Sequence, residues 1–231
     1  MSDAVAGDLG VFRLAVLASG NGSNLQAIIE RLHRRPPRPA ADAADALADS
    51  TAPARIEVAL VVSDVPGARA LERACSASIP TAVIPPDRYH TREEHDLAIA
   101  AAIREAKADL VVLAGYMRLV TPAFVRAFPW RIINLHPALL PSFPGTAGIP
   151  EAVNYGVKVT GVTVHFVDEG VDTGPVIAQE PVRVEEGDTT ETLAARIHAV
   201  EHELLPATIR LIASGKVRPP VPGSRVVQVD E

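Results

Sequence analysis

From Phe12 to Leu135, short apolar runs alternate with stretches whose apolar residues recur three and four positions apart. Phe12–Ala18 reads as a buried strand. It runs into Ser19-Gly20-Asn21-Gly22-Ser23-Asn24, after which Leu25, Ala27, Ile28 and Leu32 space out as one face of a helix that Pro36 and Pro37 stop. Ile56–Val62 predicts a second strand, Ala68–Ser78 a helix and Thr81–Ile84 a third strand. A helix over roughly 91–107 follows, with Thr91-x-x-Glu94 as its capping box. Leu110–Ala114 is uninterruptedly apolar, as expected of a strand covered on both faces. Thr121–Ala127 then reads as a short helix and Ile132–Leu135 as a fifth strand. This βαβα order predicts an α/β fold with a doubly wound, Rossmann-like, mostly parallel sheet.

Beyond residue 156 the pattern changes. Val157–Val167 and Val176–Val184 are two long strands joined by the turn-rich Asp168–Pro175, which predicts an antiparallel C-terminal extension of the sheet. A last helix begins near Thr189, introduced by Asp188-x-x-Glu191, with Leu193, Ile197, Val200 and Leu204 on its apolar stripe. Pro206 is expected to kink or divide it. Residues 1–10 read as a flexible N-terminus, 11–216 as a single domain, and 217–231 as a largely extended tail. Residues 36–55 are rich in Pro, Ala and Asp with almost no bulky side chains, the composition of a solvent-exposed insertion. A short Ala-rich helix across 40–49 is the alternative.

Composition narrows the class. The chain is 48% apolar with a mean hydropathy of +0.17, so a sizeable core can be buried, and at 4% aromatic that core must be mainly aliphatic. A net charge of −6 argues against a broad nucleic-acid surface while leaving room for a local phosphate site. Cys75 is the only cysteine, so an intrachain disulfide and a cysteine-based metal cluster are excluded; its setting predicts a structural thiol on a helix. No leader pattern and no apolar run near 18 residues occur, and a cytoplasmic enzyme without membrane contact is the expectation.

Two features carry chemistry. A strand, a glycine turn and a helix start make an anion site, because glycines let the backbone approach an oxyanion and the helix presents unpaired N–H groups. Ala27 and Ile28 stand where a dinucleotide fingerprint needs its third glycine, and the Lys-Ser/Thr pair of a triphosphate loop is missing. A single phosphate suits the loop better. The plainer reading is that Ser23-x-x-Gln26 is a capping box needing no ligand. The second feature is Asn134 and His136, two apart on a strand and so on one face, at the strand end where open α/β sheets place their ligands. Asp172, in Val171-Asp172-Thr173-Gly174-Pro175, supplies a carboxylate able to hold the imidazole charged. Amide donor, imidazole and carboxylate together suit acyl transfer, and with no Ser or Cys nucleophile beside them direct attack by a bound amine is expected. His165 reads as a structural residue of its strand, and no metal site is expected.

Ser19-Gly20-Asn21-Gly22-Ser23-Asn24-Leu25-Gln26, Leu113-Ala114-Gly115-Tyr116-Met117-Arg118, Asn134-Leu135-His136-Pro137-Ala138-Leu139-Leu140-Pro141 and Val164-His165-Phe166-Val167 with the Asp172 turn closely resemble the folate-dependent formyltransferases. The glycine loop is similar to that of the phosphoribosylglycinamide branch. The resemblance runs from about residue 13 to 215, apart from 36–55. It implies a formyltransferase fold, 10-formyltetrahydrofolate as co-substrate, glycinamide ribonucleotide as acceptor, no metal, and a monomer or homodimer. It further implies that Asn134, His136 and Asp172 are catalytic. Gly22, Ser23, Asn24, Leu25, Gln26 and Glu201 would bind the ribonucleotide, and Arg92, Met117, Arg118, Leu119, Val120 and Asn134 the folate. From the residues alone, Arg92 reads as a surface charge, core packing is the alternative for Met117 and Leu119, and Glu201 falls beside Ile197 and Leu204 on the apolar stripe, with a rim carboxylate reaching water as its alternative. The chain departs from the family where Gly145-Thr146 is followed by Ala147 in place of a common histidine, and where Pro150 occupies an often basic position.

Other readings remain open from the sequence. A methionyl-tRNA formyltransferase would append a tRNA-binding domain, whereas 15 residues follow Lys216. A formyltetrahydrofolate hydrolase would carry an N-terminal regulatory domain. A non-catalytic nucleotide- or folate-binding protein on the same fold would bind without turnover, and the glycine spacing speaks against a nicotinamide oxidoreductase.

Overall fold

The computed structural model describes residues 10–34 and 55–230. The insertion expected over 36–55 and the alternative helix over 40–49 lie outside the described residues, except that Arg55 already begins a strand; the N-terminus before Gly10 lies outside them too.

Seven strands form one sheet in the order β3-β2-β1-β4-β5-β6-β7. They are β1 (Val11–Leu17), β2 (Arg55–Ser63), β3 (Thr81–Val83), β4 (Leu110–Leu113), β5 (Ile132–His136), β6 (Val159–Phe166) and β7 (Val176–Arg183). The first five run parallel, while β6 is antiparallel to β5 and β7 to β6. The predicted parallel sheet with its antiparallel extension is what the chain forms.

Apolar runs fill both faces because successive strand side chains point to opposite sides. Leu14, Val16, Leu110, Val112, Ile133 and Leu135 face one cluster, completed by α1 (Ser23–Arg31), α2 (Arg69–Ser76), α5 (Gly148–Tyr155) and α6 (Thr190–Ala213). Ala15, Leu17, Val111, Leu113 and Ile132 face the other, covered by α3 (Arg92–Glu105) and α4 (Pro122–Ala127). Strand order reverses at β1, with β2 on one side and β4 on the other. The loops after β1 and β4 therefore meet at the switch point where such sheets bind ligands. Ser19 N–H donates to the Gly115 carbonyl across that point at 3.0 Å.

Several local readings shift. Gly22, at φ +73°, is the N-cap of α1 and no side chain caps the helix, so the Ser23–Gln26 box does not form. Ser23 is already helical, and the Gln26 amide is drawn to Glu30 and Arg73. At α3 the Thr91 hydroxyl accepts from Glu94 N–H, but the Glu94 carboxylate accepts from His90 N–H instead of completing a box. The box of α6 is one residue later than read, between Thr189 and Thr192, because Asp188 is engaged by Arg196. Pro206 does not divide α6, which continues through it. Helix α5 goes unread in the sequence; Pro150 in its first turn and Gly156 at φ +78° beyond its end delimit it. Cys75 lies on α2 as read, but exposed. Two short strands in the tail, β8 (Val217–Arg218) and β9 (Gln228–Val229), pair with each other. No helix among the described residues is long and apolar enough to cross a membrane.

Candidate active site

Strand β5 presents Asn134 and His136 at its C-terminal end, and β6 pairs with it so that Asn134 lies opposite His165 and His136 opposite Thr163. Asp172 comes from the β6–β7 connection and adopts φ +52°, a left-handed conformation that Asp tolerates better than most residues. Gly174, two residues on, lies so close to the Phe166 carbonyl that a Cβ there would sit 1.6 Å from the oxygen. The turn thus folds tightly back on β6 and aims the acid at β5.

The carboxylate organises the site. Asp172 Oδ1 accepts from the Asn134 amide at 3.3 Å, and Oδ2 accepts from Gly145 N–H at 2.7 Å. Oδ2 also lies 3.5 Å from His136 Nδ1, and Oδ1 lies 3.7 Å from His165 Nε2. His136 donates its Nε2–H to the Phe143 carbonyl at 2.8 Å. Both ring nitrogens of His136 thus face oxygens. His165 is fixed differently. Its Nδ1–H donates to the Phe166 carbonyl at 2.8 Å, so Nε2 carries the lone pair that accepts from the Asn134 amide at 3.2 Å. Burial pushes its pKa below the usual histidine value, and the Asp172 charge opposes this only in part. His165 is therefore not just a strand residue: it orients Asn134. Its signal in the sequence is absent until the register is known, because it is the β5–β6 pairing that puts it opposite Asn134.

The loop after β5 is held from behind. Thr163 donates to the Ala138 carbonyl at 2.6 Å and accepts from Leu140 N–H at 3.1 Å, while the Gln179 amide donates to Thr163 Oγ1 and to the Leu140 carbonyl, both at 2.9 Å. This fixes the segment that supplies Phe143 and Gly145. Ala147 is the N-cap of α5 and offers no side-chain cap.

A cleft of about 400 Å³ opens onto these groups, lined by Asn134, His136, His165 and Asp172 on one side and by Arg92 and the segment 115–122 on the other. All the residues expected to hold a folate line it. Arg92 donates to the Leu119 carbonyl at 2.6 Å and Met117 N–H to Ser19 Oγ at 2.9 Å, fixing the segment's backbone. Met117 and Leu119 are 66% and 55% exposed, so they are not core packing but an apolar surface facing the cleft.

The residues expected to bind a ribonucleotide form a second cluster that is not among the cleft-lining residues. Gly22 needs its left-handed conformation, and a Cβ on it would come within 2.7 Å of Ala70 Cα. Gln26 N–H is taken by the Gly22 carbonyl, which leaves the amides of Ser23, Asn24 and Leu25 at the open helix start. The Leu25 side chain is fully buried in the core, so only its backbone can serve a ligand. Glu201, on α6, is buried and accepts from the Asn24 amide at 2.9 Å, with His198 Nδ1 3.6 Å away. Burial raises its pKa above the ordinary carboxylate value, opposed by Asn24, His198 and the charge of His136. Arg73, unread in the sequence, moulds the loop from α2: it donates to the Asn21 carbonyl at 2.9 Å, to Asn21 Oδ1 at 3.0 Å and to Gln26 Oε1 at 3.1 Å. Nothing local in its helix sequence marks that role. Among the described residues no group of three or more His, Cys, Asp and Glu is placed to hold a metal ion.

The family model described as formyl transferase matches residues 12–209. The chain is 42% identical over 198 residues to the phosphoribosylglycinamide formyltransferase of Bacillus subtilis, covering 86% of this chain and 93% of that protein. It is 42% identical over 206 residues to the human trifunctional purine biosynthetic protein adenosine-3, of whose length it spans 19%. The crystal structure of glycinamide ribonucleotide transformylase 1 from Symbiobacterium toebii superposes with a TM-score of 0.82 at 42% identity, covering 97% of this chain and 96% of that one. The chain belongs to the formyl transferase family.

Proposed function

We propose that this protein transfers the formyl group of 10-formyltetrahydrofolate to the amine of glycinamide ribonucleotide, a step of de novo purine synthesis, in the cytoplasm. The observation that carries the reading is the Asp172 carboxylate bridging Asn134 and His136 at the inner end of a cleft with an apolar, arginine-edged mouth. Arg92, Arg118 and the apolar Met117, Leu119 and Val120 receive the folate. The amides after Gly22 receive the ribonucleotide phosphate, shaped by Arg73, and Glu201 with Asn24 receives its sugar end.

The amine attacks the formyl carbon, and negative charge gathers on the formyl oxygen. His136 stabilises it as a cation. Its Nε2–H is held by Phe143 at 2.8 Å, whereas Nδ1 lies 3.5 Å from Asp172, so Nδ1–H is the donor freer to turn to the oxyanion. Both Asn134 N–H groups are directed at Asp172 and His165, and the longer bond to Asp172, 3.3 Å, is the one exchanged for the substrate oxygen. Asp172 accepts a proton from the attacking amine, which then passes to the folate nitrogen as it leaves. Holding two substrates together supplies much of the remaining acceleration.

The test is absorbance at the folate chromophore with purified protein, 10-formyltetrahydrofolate and glycinamide ribonucleotide. Deformylation that requires the nucleotide and yields the N-formyl nucleotide is expected. Equal deformylation without it would mean hydrolysis, and binding of either ligand without turnover would mean a non-catalytic protein.

A further inference from the structure

The tail is not a loose end. Val217 pairs with Val229 and Arg218 with Gln228, Asp230 N–H donates to the Lys216 carbonyl at 2.9 Å, and the Arg218 and Asp230 side chains are joined. These contacts close the base of a loop over residues 219–227. Pro219, Pro220 and Pro222 stiffen it, and its turn is tied by Ser224 N–H to the Val221 carbonyl and by Val226 N–H to Ser224 Oγ, each at 3.0 Å. Val217 and Val227 pack against the main core. From this braced loop Arg225 extends to the β6–β7 connection and donates Nη2 to the carbonyl of Thr173, the residue after Asp172.

The connection needs holding there. Asp172 is in the left-handed region, Gly174 is pressed on the Phe166 carbonyl, and Asp168 Oδ1 ties the near part through Gly170 N–H at 3.1 Å and Thr173 Oγ1 at 2.6 Å. Phe166 N–H closes the far end on the Pro175 carbonyl at 2.9 Å. Arg126 holds the Glu169 carboxylate at the near end, Asn134 and Gly145 hold the Asp172 carboxylate itself, and Arg225 adds, from the far end of the chain, a hold on the backbone carbonyl just after the acid.

We infer that the C-terminal segment is a strap that sets the catalytic acid, with Arg225 the positioning residue for Asp172. The inference rests on the catalytic reading of Asp172 given above. Geometry is what it supplies: Arg225 reaches the backbone beside the acid, and a small misplacement of a reacting group lowers turnover by roughly ten- to a hundredfold.

The experiment uses the full chain with Arg225→Ala, Arg225→Gln and Arg225→Lys. Hydrogen exchange of the peptide over 168–175 is measured without substrates, then kcat and both KM values. Faster exchange in Arg225→Ala at an unchanged melting temperature is expected. So is a kcat about tenfold or more lower with both KM values within about threefold, and partial recovery in Arg225→Lys. Should Arg225→Ala fail to fold, Arg225→Gln, which keeps a donor on a shorter arm, carries the same comparison. Unchanged exchange overturns the strap, and faster exchange with an unchanged kcat overturns its role in positioning Asp172. If the wild type shows no transfer while exchange responds as expected, the transferase reading falls and the strap stands.

Discussion

Replacing Asp172 with Asn keeps shape and removes one charge, and its effect can be worked from the distances. The carboxylate oxygen lies 3.5 Å from His136 Nδ1, and at an effective dielectric of about 20 a unit-charge pair at that separation is worth about 5 kcal/mol. Asp172 retains 13% side-chain exposure, so solvent screens part of this and about 3–4 kcal/mol is the reasonable loss in stabilising a cationic His136. That corresponds to a fall of about 10²–10³ in kcat. The new amide also cannot satisfy its neighbours: Gly145 N–H and the Asn134 amide both donate to the present carboxylate, so its NH₂ meets a donor whichever way it turns. An unmet buried group costs about 1–3 kcal/mol, so the melting temperature falls as well. Steady-state kinetics with each substrate varied should show the loss in kcat, with the ribonucleotide KM little changed because the glycine loop is a separate cluster. A variant within about threefold of wild-type kcat, less than about 0.7 kcal/mol, refutes Asp172 as the partner of His136.

Three further perturbations follow from the same geometry. Gly22→Ala places a methyl group against Ala70 and forces a side chain into the left-handed region, so the ribonucleotide KM rises and stability drops by about 1–3 kcal/mol; denaturant titration and unaltered KM would speak against the cradle. Glu201 has its folded pKa raised by burial, so the protein loses stability as pH climbs from the unfolded value near 4.5 towards the folded one, and the loss persists above it. Glu201→Gln should therefore melt higher than wild type at neutral pH but not below about pH 4.5, with a weaker ribonucleotide KM; a melting difference independent of pH contradicts the burial argument. His165 has its folded pKa lowered, so its contribution is complete above 6.5 and is lost as pH falls through that value towards the folded one. His165→Gln, which keeps an acceptor for Asn134, should flatten that acid-side loss, and a wild-type-like melting profile below pH 6.5 would count against a neutral buried ring.

The strands and the Asn134–His136 pair were legible because period-two alternation and continuous apolar runs are local properties of the chain. The Asp172 turn was legible as a motif, while its left-handed backbone and the fit of Gly174 under Phe166 were not, since both depend on β6 lying beside it. His165 is the buried strand residue the sequence suggests, but its bond to Asn134 is not legible there, since only the antiparallel register puts it opposite Asn134. Arg73 and Arg225 act through backbone carbonyls far away in sequence, and nothing in their own surroundings announces this. Met117 and Leu119 looked like core because they are apolar, and only the fold shows that their segment leaves β4 at the switch point. The helix starts at Thr189 and Gly22 show how competition from Arg196 and Arg73 moves a cap by one residue.

The central claim is that a formyl carbon and an amine meet under His136 with Asp172 behind it. The most direct measurement is single-turnover transfer from 10-formyltetrahydrofolate to glycinamide ribonucleotide by wild type and His136→Ala at saturating substrates. The account predicts N-formyl nucleotide formed by the wild type and a rate lower by about 10²–10³ or more in the variant, with both substrates still bound. Equal rates in the two proteins would contradict it.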